Sequence, residues 1–430
     1  MPSYLNMSAS EREQELRRLE TMYGKLKQTP RSLNMTRGKP CAEQLDLSAG
    51  LLSAHDHEQD WIASDGTDCR NYGGLDGLPE AKQLFSELLG FRADQIMVLG
   101  NSSLNIMYDL MIRAMLFPLP GATEAWAACT TRKFICPVPG YDRHFAITEQ
   151  LGFEMLPVGM NEDGPDMDQV EALVAADPDI KGIWLVPVYS NPQGYTCSDA
   201  TSRRLAGMRT AAPDFRIFWD NAYFTHHLDF DHPATVPDIL ELCARAGVPD
   251  RVFAVASTSK VTWAGAGIAC LAASPANLDY IRRELTIQTI GHDKMNQLRQ
   301  VRFLRDAEHV DQLMRRHADI LRPKFELADR ILEEELHDLD ICRWTRPSGG
   351  YFISLEVFPG TARQVVSLAK GCGVALTPAG STWPNGVDPH DSSIRLAPSF
   401  PPLDELEQAM QVLTVCIRLA ALRHLTDRVS

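Results

Sequence analysis

The feature that most constrains the fold is an alternation of short apolar segments with amphipathic ones through the middle of the chain. The apolar segments lie at residues 95–99, 133–138, 153–158, 180–188, 215–219, 252–255 and 268–273. Most are apolar along their whole length, as strands are when both faces of a sheet are buried. The segments between them have helical spacing. This alternation predicts an α/β fold with a mainly parallel central sheet sandwiched by helices.

Polar and aromatic side chains follow the predicted strands directly, at the point where each strand ends. They are Ser102, Tyr141, Asn191, Asp220 and Lys260. In open parallel sheets, ligands bind in the crevice outside the carboxyl ends of the strands. The sequence therefore predicts that these side chains surround one ligand site.

Lys260 follows a predicted strand and stands behind small hydroxyl-bearing residues, Ser257, Thr258 and Ser259. Burial disfavours the charged form of an amine, so a lysine in a dry pocket loses its proton readily. A neutral amine can form an imine with an aldehyde cofactor such as pyridoxal phosphate, and the serines could bind the phosphate. The alternative interpretation is an ordinary surface lysine after a strand.

Two further segments have the composition of ligand-binding turns. Gly100-Asn-Ser-Ser103 lies between a predicted strand and a predicted helix, where free amides and the helix dipole favour an anion. An ordinary helix cap would need only one such polar residue. A second loop places Arg37 and Lys39 around Gly38, which would let the backbone approach a ligand closely. A plain turn is the alternative there.

Composition disfavours several classes of protein. The chain of 430 residues has a formal net charge of -14, which argues against nucleic acid as a partner because phosphate binding needs a basic face. No apolar run is long enough to cross a bilayer, and the first residues lack the pattern of a signal peptide. The 10 cysteines lack paired metal-binding spacing and are typical of a reducing compartment. We therefore expect a cytoplasmic protein without a metal site or a membrane partner.

A long, charged helical pattern at residues 308–335 marks the step into a second, smaller domain. Beyond it, the sequence predicts strands at 350–355, 374–377 and 393–396 and a last helix at 402–422. Near the start, Ser10 and Glu13 have the spacing of a capping box, which predicts a helix over residues 11–27. The expected domains are an N-terminal helix and arm packing with the small domain (1–50), a large cofactor-binding domain (51–305) and a C-terminal small α+β domain (306–430).

Four motifs in order resemble the pyridoxal phosphate-dependent aminotransferases of fold type I, class I/II. They are Asn191-Pro-Gln-Gly194, Asp220-Asn-Ala-Tyr223, Ser257-Thr-Ser-Lys260 and the late Arg395. The resemblance covers most of the chain, from about residue 36 to residue 400. More narrowly, Thr36-Arg-Gly-Lys-Pro40, Arg70-Asn-Tyr-Gly-Gly-Leu-Asp-Gly77 and Thr258-Ser-Lys-Val-Thr262 are similar to a bacterial aspartate aminotransferase subgroup. The resemblance implies the fold type I transferase fold and pyridoxal 5'-phosphate as cofactor.

The resemblance also implies how the cofactor ring is held. Asp220 would face the protonated ring nitrogen, and Lys260 would carry the imine. Asn191 and Tyr223 would bind the phenolic oxygen, and Tyr141 would stack on the ring. Ordinary alternatives remain for three of them: a strand-end cap at Asp220, a turn at Asn191 and a core tyrosine at Tyr141.

For the cofactor phosphate and the substrate, the resemblance implies a second group of residues. The phosphate would be bound by Ser102, Ser103, Ser257 and Ser259 and, from the neighbouring subunit, by Tyr72, which implies a homodimer with shared active sites. Arg395 would bind the substrate α-carboxylate by a bidentate pair; a surface ion pair is the alternative. In the family, an arginine shortly after the lysine often binds the phosphate, whereas Gly265-Ala-Gly-Ile268 offers no cation here. A backbone amide or Arg37 would have to offset that charge.

The activity that the resemblance implies is transfer of an amino group from an acidic L-amino acid, aspartate above all, to 2-oxoglutarate by a ping-pong mechanism. A dicarboxylic substrate needs a second cation, for which Lys294 and Arg143 are the candidates, and either could equally be a solvated surface charge. Gly38 would lie against the substrate. One alternative is another pyridoxal phosphate enzyme, such as an aminotransferase of different specificity or a C–S or β-lyase. Another is an aminotransferase-like sensor in a transcription regulator without turnover, which the short segment ahead of the first motif disfavours.

Overall fold

A computed structural model describes residues 3–54 and 61–427. Its helices are α1 Ala9–Gln28, α2 Ala42–Asp46, α3 Pro79–Leu89, α4 Ser103–Leu116, α5 Asp142–Gln150, α6 Met167–Ala176, α7 Asp199–Gly207, α8 Ile239–Arg245, α9 Pro275–Gln288, α10 Lys294–Leu304, α11 Ala307–Leu336, α12 Ala362–Gly371 and α13 Leu403–Asp427. Its strands are β1 Leu33–Asn34, β2 Ile96–Leu99, β3 Lys133–Val138, β4 Glu154–Asn161, β5 Gly164–Pro165, β6 Ile180–Leu185, β7 Arg216–Asp220, β8 Val252–Ser257, β9 Ala269–Ala273, β10 Cys342–Trp344, β11 Ile353–Val357, β12 Val374–Ala375 and β13 Ser393–Leu396. Among these helices, none combines the length and the apolar character needed to cross a bilayer.

The central sheet has eight strands in the order β2-β9-β8-β7-β6-β3-β4-β5. Strands β4, β3, β6, β7 and β8 pair in parallel, whereas β9 is antiparallel to both of its neighbours and β5 is antiparallel to β4. Because β9 reverses direction, β2 and β8 point the same way. The carboxyl ends of β2, β3, β6, β7 and β8 therefore share one edge of the sheet. The predicted α/β class with a mainly parallel sheet is confirmed.

Both faces of this sheet are buried. Every residue of β6, β7 and β8 is buried, and successive side chains alternate between two hydrophobic clusters. In β8, Val252 and Ala254 pack into one cluster, while Phe253 and Val255 pack into the other. Burying a large apolar side chain contributes on the order of 1.5–3 kcal/mol, so the strands are held from both sides. The sheet edge that collects the polar residues is thereby fixed in place.

A third hydrophobic cluster joins the two ends of the chain. Strand β1 pairs in parallel with β12, and the antiparallel sheet β10-β11-β13 lies in the same cluster. Arg418 of α13 is buried, and its guanidinium contacts the Glu15 carboxylate at 2.8 Å, the Glu335 carboxylate at 2.8 Å and the Tyr4 hydroxyl at 3.0 Å. These contacts connect α1, α11 and α13.

The start of α1 differs from the prediction. The capping box is formed by Ser8 and Glu11, and the prediction of Ser10 and Glu13 is wrong by two residues. The Ser8 amide donates to the Glu11 carboxylate at 2.8 Å, and the Glu11 amide donates to the Ser8 hydroxyl at 3.3 Å. Both serines have a glutamate three positions later, so the motif alone is ambiguous. Met7 packs against the third cluster, which fixes where the helix begins.

Candidate active site

The residues that follow the strands of the central sheet come together at its carboxyl edge, and Asp220 lies near the middle. Asp220 ends β7 and pairs in register with Val255 of β8, the strand that leads to Lys260. The Asp220 side chain is 2% exposed. Its Oδ2 atom lies 3.1 Å from Nε2 of His144, and its Oδ1 atom is buried without a hydrogen-bond partner among the described residues. One oxygen of a buried carboxylate is therefore available to a ligand.

His144 explains how Asp220 is held. It lies in α5, and its imidazole stacks on Trp184 of β6 with 4.6 Å between the ring centroids and 13° between the planes. Since the Asp220 carboxylate only accepts hydrogen bonds, Nε2 of His144 is the donor. Tyr141, at the start of the same helix, contacts the His144 ring edge-on at 4.9 Å. Burial, with a smaller contribution from the Asp220 charge, raises the pKa of Tyr141 to about 12. Tyr141 is therefore a neutral aromatic side chain next to the carboxylate.

Lys260 faces Tyr223, and its environment favours the uncharged amine. Its Nζ atom lies 4.8 Å from the centroid of the Tyr223 ring. Burial lowers the pKa of Lys260 below its ordinary value, and the Asp220 charge opposes this shift only in part. The Tyr223 side chain is buried, and burial raises its pKa well above its ordinary value. The site thus holds an amine that gives up its proton readily next to a phenol that keeps its own.

Ser257, Ser259 and the start of α4 form a group of polar atoms next to Lys260, here called the cradle. The Ser257 hydroxyl donates to the Ser259 hydroxyl at 3.1 Å, and the Ser259 hydroxyl donates to the Asn101 carbonyl at 3.4 Å. Ser102 is the N-cap residue of α4, yet its side chain makes no capping hydrogen bond, and Ser103 begins the helix. The free amides and the dipole of a helix start favour an anion. The predicted phosphate-binding serines therefore lie around one helix N-terminus.

The loop after Lys260 approaches this cradle through its backbone. A Cβ atom on Gly267 would lie 2.9 Å from Thr258 Oγ1 and 3.3 Å from the Ser259 nitrogen, so a side chain there would clash. The Ile268 amide donates to Thr258 Oγ1 at 3.0 Å. Arg37, one alternative source of positive charge, is exposed. Gly267 therefore lets the backbone of this loop pack directly against Thr258 and Ser259.

Arg395, the predicted substrate arginine, lies in β13 and is 6% exposed. Its Nη1 atom donates to Asp142 Oδ1 at 2.9 Å and to Asn191 Oδ1 at 3.2 Å. Its guanidinium lies 4.8 Å from the centroid of the Phe352 ring. A Cβ atom on Gly38 would lie 2.4 Å from Phe352, so only a glycine fits against this ring. Gly38, Asn191 and Arg395 therefore belong to one group of contacts.

Three of the predicted site residues, Lys294, Tyr72 and Arg143, make none of the contacts described above. Lys294 is buried at the start of α10, and its ammonium donates to the Asn71 carbonyl at 2.7 Å and the Gly73 carbonyl at 2.6 Å. Tyr72, between those two carbonyls, is 82% exposed. Arg143 is exposed on α5. Within one chain, Lys294 thus fixes the loop that carries Tyr72.

Sequence reasoning missed two side chains of this site, His144 and Asp142. Both lie in the first turn of α5, beside the predicted Tyr141 and Arg143. A histidine three residues after Tyr141 lies on the same side of a helix, which was the available signal. The partner of Asp142 is far away in sequence, so no local pattern indicates it.

The site can be compared with known proteins. A family model described as "Aspartate amino-transferase" matches residues 7–429. A protein of Corynebacterium glutamicum named aspartate aminotransferase is 48% identical to this chain over 94% of it and 93% of the relative. The crystal structure of an aspartate transaminase from the same species superposes with a TM-score of 0.96 at 47% identity, covering 98% of this chain and 99% of that one.

A more distant structure shares the fold. LysN, an α-aminoadipate aminotransferase of Thermus thermophilus complexed with N-(5'-phosphopyridoxyl)-L-leucine, superposes with a TM-score of 0.73 at 21% identity. The match covers 92% of this chain and 93% of LysN. At this identity the likeness supports the fold alone.

Proposed function

The chain belongs to the aspartate aminotransferase family and is an aminotransferase, and on that premise we propose that it exchanges amino groups between L-aspartate and 2-oxoglutarate, with pyridoxal 5'-phosphate as cofactor. The observation that carries the proposal is the presence in one site of two groups. Asp220 is a buried carboxylate with one oxygen that no described residue bonds, and Lys260 is an amine whose pKa is lowered by burial. These are the two groups that amino-group transfer with this cofactor needs.

The residues present fit the cofactor. The free Oδ1 atom of Asp220 is suited to hold a proton on the cofactor ring nitrogen, while His144 holds Oδ2. The serines at the start of α4 and after β8 would bind the phosphate. Asn191 and Tyr223 would bind the phenolic oxygen, and Tyr141 would pack on the ring.

Bound pyridoxal phosphate supplies an electron-withdrawing ring that makes the α-proton of a bound amino acid acidic. The Lys260 amine, whose pKa burial lowers, would remove that proton as general base and return it to the cofactor carbon as general acid. Arg395 would hold the α-carboxylate so that the α-proton faces Lys260. Reuse of the same residues for the 2-oxo acid in the second half of the reaction gives ping-pong kinetics.

We propose a homodimer on the basis of exposed apolar side chains. Leu116 and Phe117 at the end of α4 are 62% and 43% exposed, and Ile287 and Ile290 near the end of α9 are 88% and 64% exposed. Arg113 of α4 bonds to Gln288 of α9, so these side chains lie on adjacent elements. Apolar side chains grouped on the surface of a protein mark an interface.

The cysteines bear on the cellular compartment. The 10 unpaired cysteines support a reducing compartment such as the cytoplasm.

The cation that reads the substrate side chain is proposed to be Lys294 or Arg143. Two of the three Lys294 ammonium hydrogens bond to carbonyls, which leaves one for a carboxylate. Replacing the residue that reads the side chain by alanine should lower the ratio of kcat/KM for aspartate to that for alanine. Lys370→Ala, at an exposed position on α12, is the matched control. An unchanged ratio in both Lys294→Ala and Arg143→Ala would exclude this assignment.

The visible absorption spectrum of the protein with bound pyridoxal phosphate tests the proposed function. L-Aspartate should bleach the visible band, and 2-oxoglutarate should restore it, whereas Lys260→Ala should abolish turnover. A band that ignores aspartate would refute the acidic substrate. Release of pyruvate, ammonia and sulfide from L-cysteine, rather than oxaloacetate and glutamate from aspartate and 2-oxoglutarate, would indicate a lyase.

A further inference from the structure

The guanidinium of Arg395 is held on one side by other residues of the chain. Nη1 donates to both Asp142 and Asn191, and Nε is buried without a hydrogen-bond partner among the described residues. We propose that Asp142 is a positioning residue for the substrate: it holds Nη1 of Arg395, so that the edge formed by Nε and Nη2 is presented to the α-carboxylate. The proposal rests on the proposed function, since it concerns how that substrate is bound.

The geometry of arginine leaves little freedom in this arrangement. A guanidinium has five N–H donors in a planar fork, two of them on each terminal nitrogen and one on Nε. The two acceptors on Nη1, at 2.9 and 3.2 Å, match the two hydrogens of that atom. A carboxylate binds best to two parallel N–H groups. The remaining pair is that of Nε and Nη2, and the buried Nε lacks, within the part of the chain that the structure describes, the partner that a buried donor requires.

The hydrogen bond to Arg395 distinguishes Asp142 from an ordinary aspartate at the start of a helix. An aspartate in the first turn of a helix is favourable through the helix dipole alone, but the carboxylate of Asp142 reaches out of α5 to Arg395 in β13. The backbone just before it is anchored, because the Gly140 amide donates to the Thr382 carbonyl at 2.7 Å. The position of the Asp142 carboxylate is therefore set by fixed structure on both sides.

Three restraints then define the guanidinium. Asp142 and Asn191 fix its Nη1 corner, and the Phe352 ring, 4.8 Å away, packs against it. The same helix turn that carries Asp142 carries His144, which holds Asp220. The start of α5 thus holds the positions of both Arg395 and Asp220, and it would keep the distance between these two side chains constant.

The opposite role for Asp142, competition with the substrate, predicts the opposite effect. A carboxylate next to Arg395 could compete with the substrate carboxylate or repel it. Removing it would then strengthen carboxylate binding. The direction of the change in affinity distinguishes positioning from competition.

The test uses succinate, a dicarboxylate that lacks an amino group and cannot react. Its dissociation constant is measured by calorimetry on the protein loaded with pyridoxal phosphate, as wild type, Asp142→Ala and Asp142→Asn. The matched control is Asp168→Ala, which removes an exposed first-turn aspartate paired with Arg204 at 2.6 Å on another helix. KM and kcat for aspartate and 2-oxoglutarate are measured on the same proteins.

Positioning predicts that Asp142→Ala weakens succinate binding about tenfold, because Arg395 loses the charged hydrogen bond from Nη1 to Asp142 that orients it. The same variant has a higher KM for both substrates with a smaller change in kcat. Asp142→Asn, which keeps an acceptor oxygen, restores binding to within about threefold of wild type, and Asp168→Ala changes nothing.

Tighter succinate binding in both Asp142 variants would overturn the proposal in favour of competition. Unchanged binding in both variants, or no binding by the wild type, would overturn it outright. Because succinate binding needs no turnover, the result is separate from the proposed function. A protein that binds succinate in an Asp142-dependent way but does not transaminate aspartate would retain this inference and lose that function.

Discussion

Replacing His144 by phenylalanine should weaken cofactor binding by roughly tenfold to a hundredfold. The phenyl ring can keep the stacking on Trp184, where the histidine ring lies at 4.6 Å, but it removes the Nε2 donor that lies 3.1 Å from Asp220. Asp220 is 2% exposed, and its other oxygen has no partner among the described residues, so the carboxylate would be left without hydrogen bonds. Keeping it charged then costs more free energy, and its charge is what the cofactor ring nitrogen needs.

The magnitude follows from the kind of bond that is lost. A hydrogen bond to a charged group is worth about 1.5–3 kcal/mol, and each 1.4 kcal/mol corresponds to a factor of about ten in a dissociation constant. The assay is an absorbance titration of the apoprotein with pyridoxal phosphate. The control is His309→Phe, which removes a histidine paired with Asp306 at 2.8 Å on a partly exposed helix start. A dissociation constant for His144→Phe within about twofold of wild type would refute the reasoning.

Two further predictions concern stability. Gly349→Ala should destabilise the protein by about 1–3 kcal/mol in urea unfolding, because its Cβ atom would lie 2.2 Å from the Tyr189 ring. Gly24 lies mid-helix, and a Cβ atom there would meet no described residue within 4 Å apart from its chain neighbours and the backbone of its own helix. Gly24→Ala should therefore stabilise the protein by up to about 1 kcal/mol, and equal effects of the two changes would contradict this prediction. Burial lowers the pKa of His317 from 6.5 to about 4, so the unfolded chain binds a proton in that window that the folded chain does not. The free energy of unfolding should therefore fall as pH falls from 6.5 towards 4, and His317→Gln should flatten this slope; an unchanged slope would exclude His317 as a source.

Local signals predicted the elements whose ends are fixed by their own residues. Helix α3 begins at Pro79 and is capped by Gly90 at φ 78°, ends of the kind that a sequence indicates by itself because proline and glycine act through their own backbone. Strand β3 was likewise predicted with its observed bounds. The antiparallel direction of β9 was not predicted, since strand direction depends on the path of the loop after Lys260 and leaves no mark on the strand's own residues.

The candidate site likewise contains residues that the sequence could place and contacts that it could not. Asp220 and Lys260 could be assigned to one sheet edge, because the ends of parallel strands meet there whatever the loops do. The pairing of His144 with Asp220 and that of Asp142 with Arg395 join residues distant in sequence, and each depends on how α5 is set against the sheet. Such contacts are decided by packing between elements, and a local sequence pattern does not identify the distant partner.

The joining of both chain ends has a consequence for synthesis on the ribosome. Leu33 pairs with Val374, and Glu15 bonds to Arg418, so these contacts of the first helix and strand cannot form until residues 374 and 418 have been made. At ordinary rates of translation this is a delay of roughly tens of seconds. During that time the strands of the central sheet emerge in order and can pair, while the apolar side of α1 stays uncovered. The newly made chain would depend on chaperones longest at the segment that contains α1.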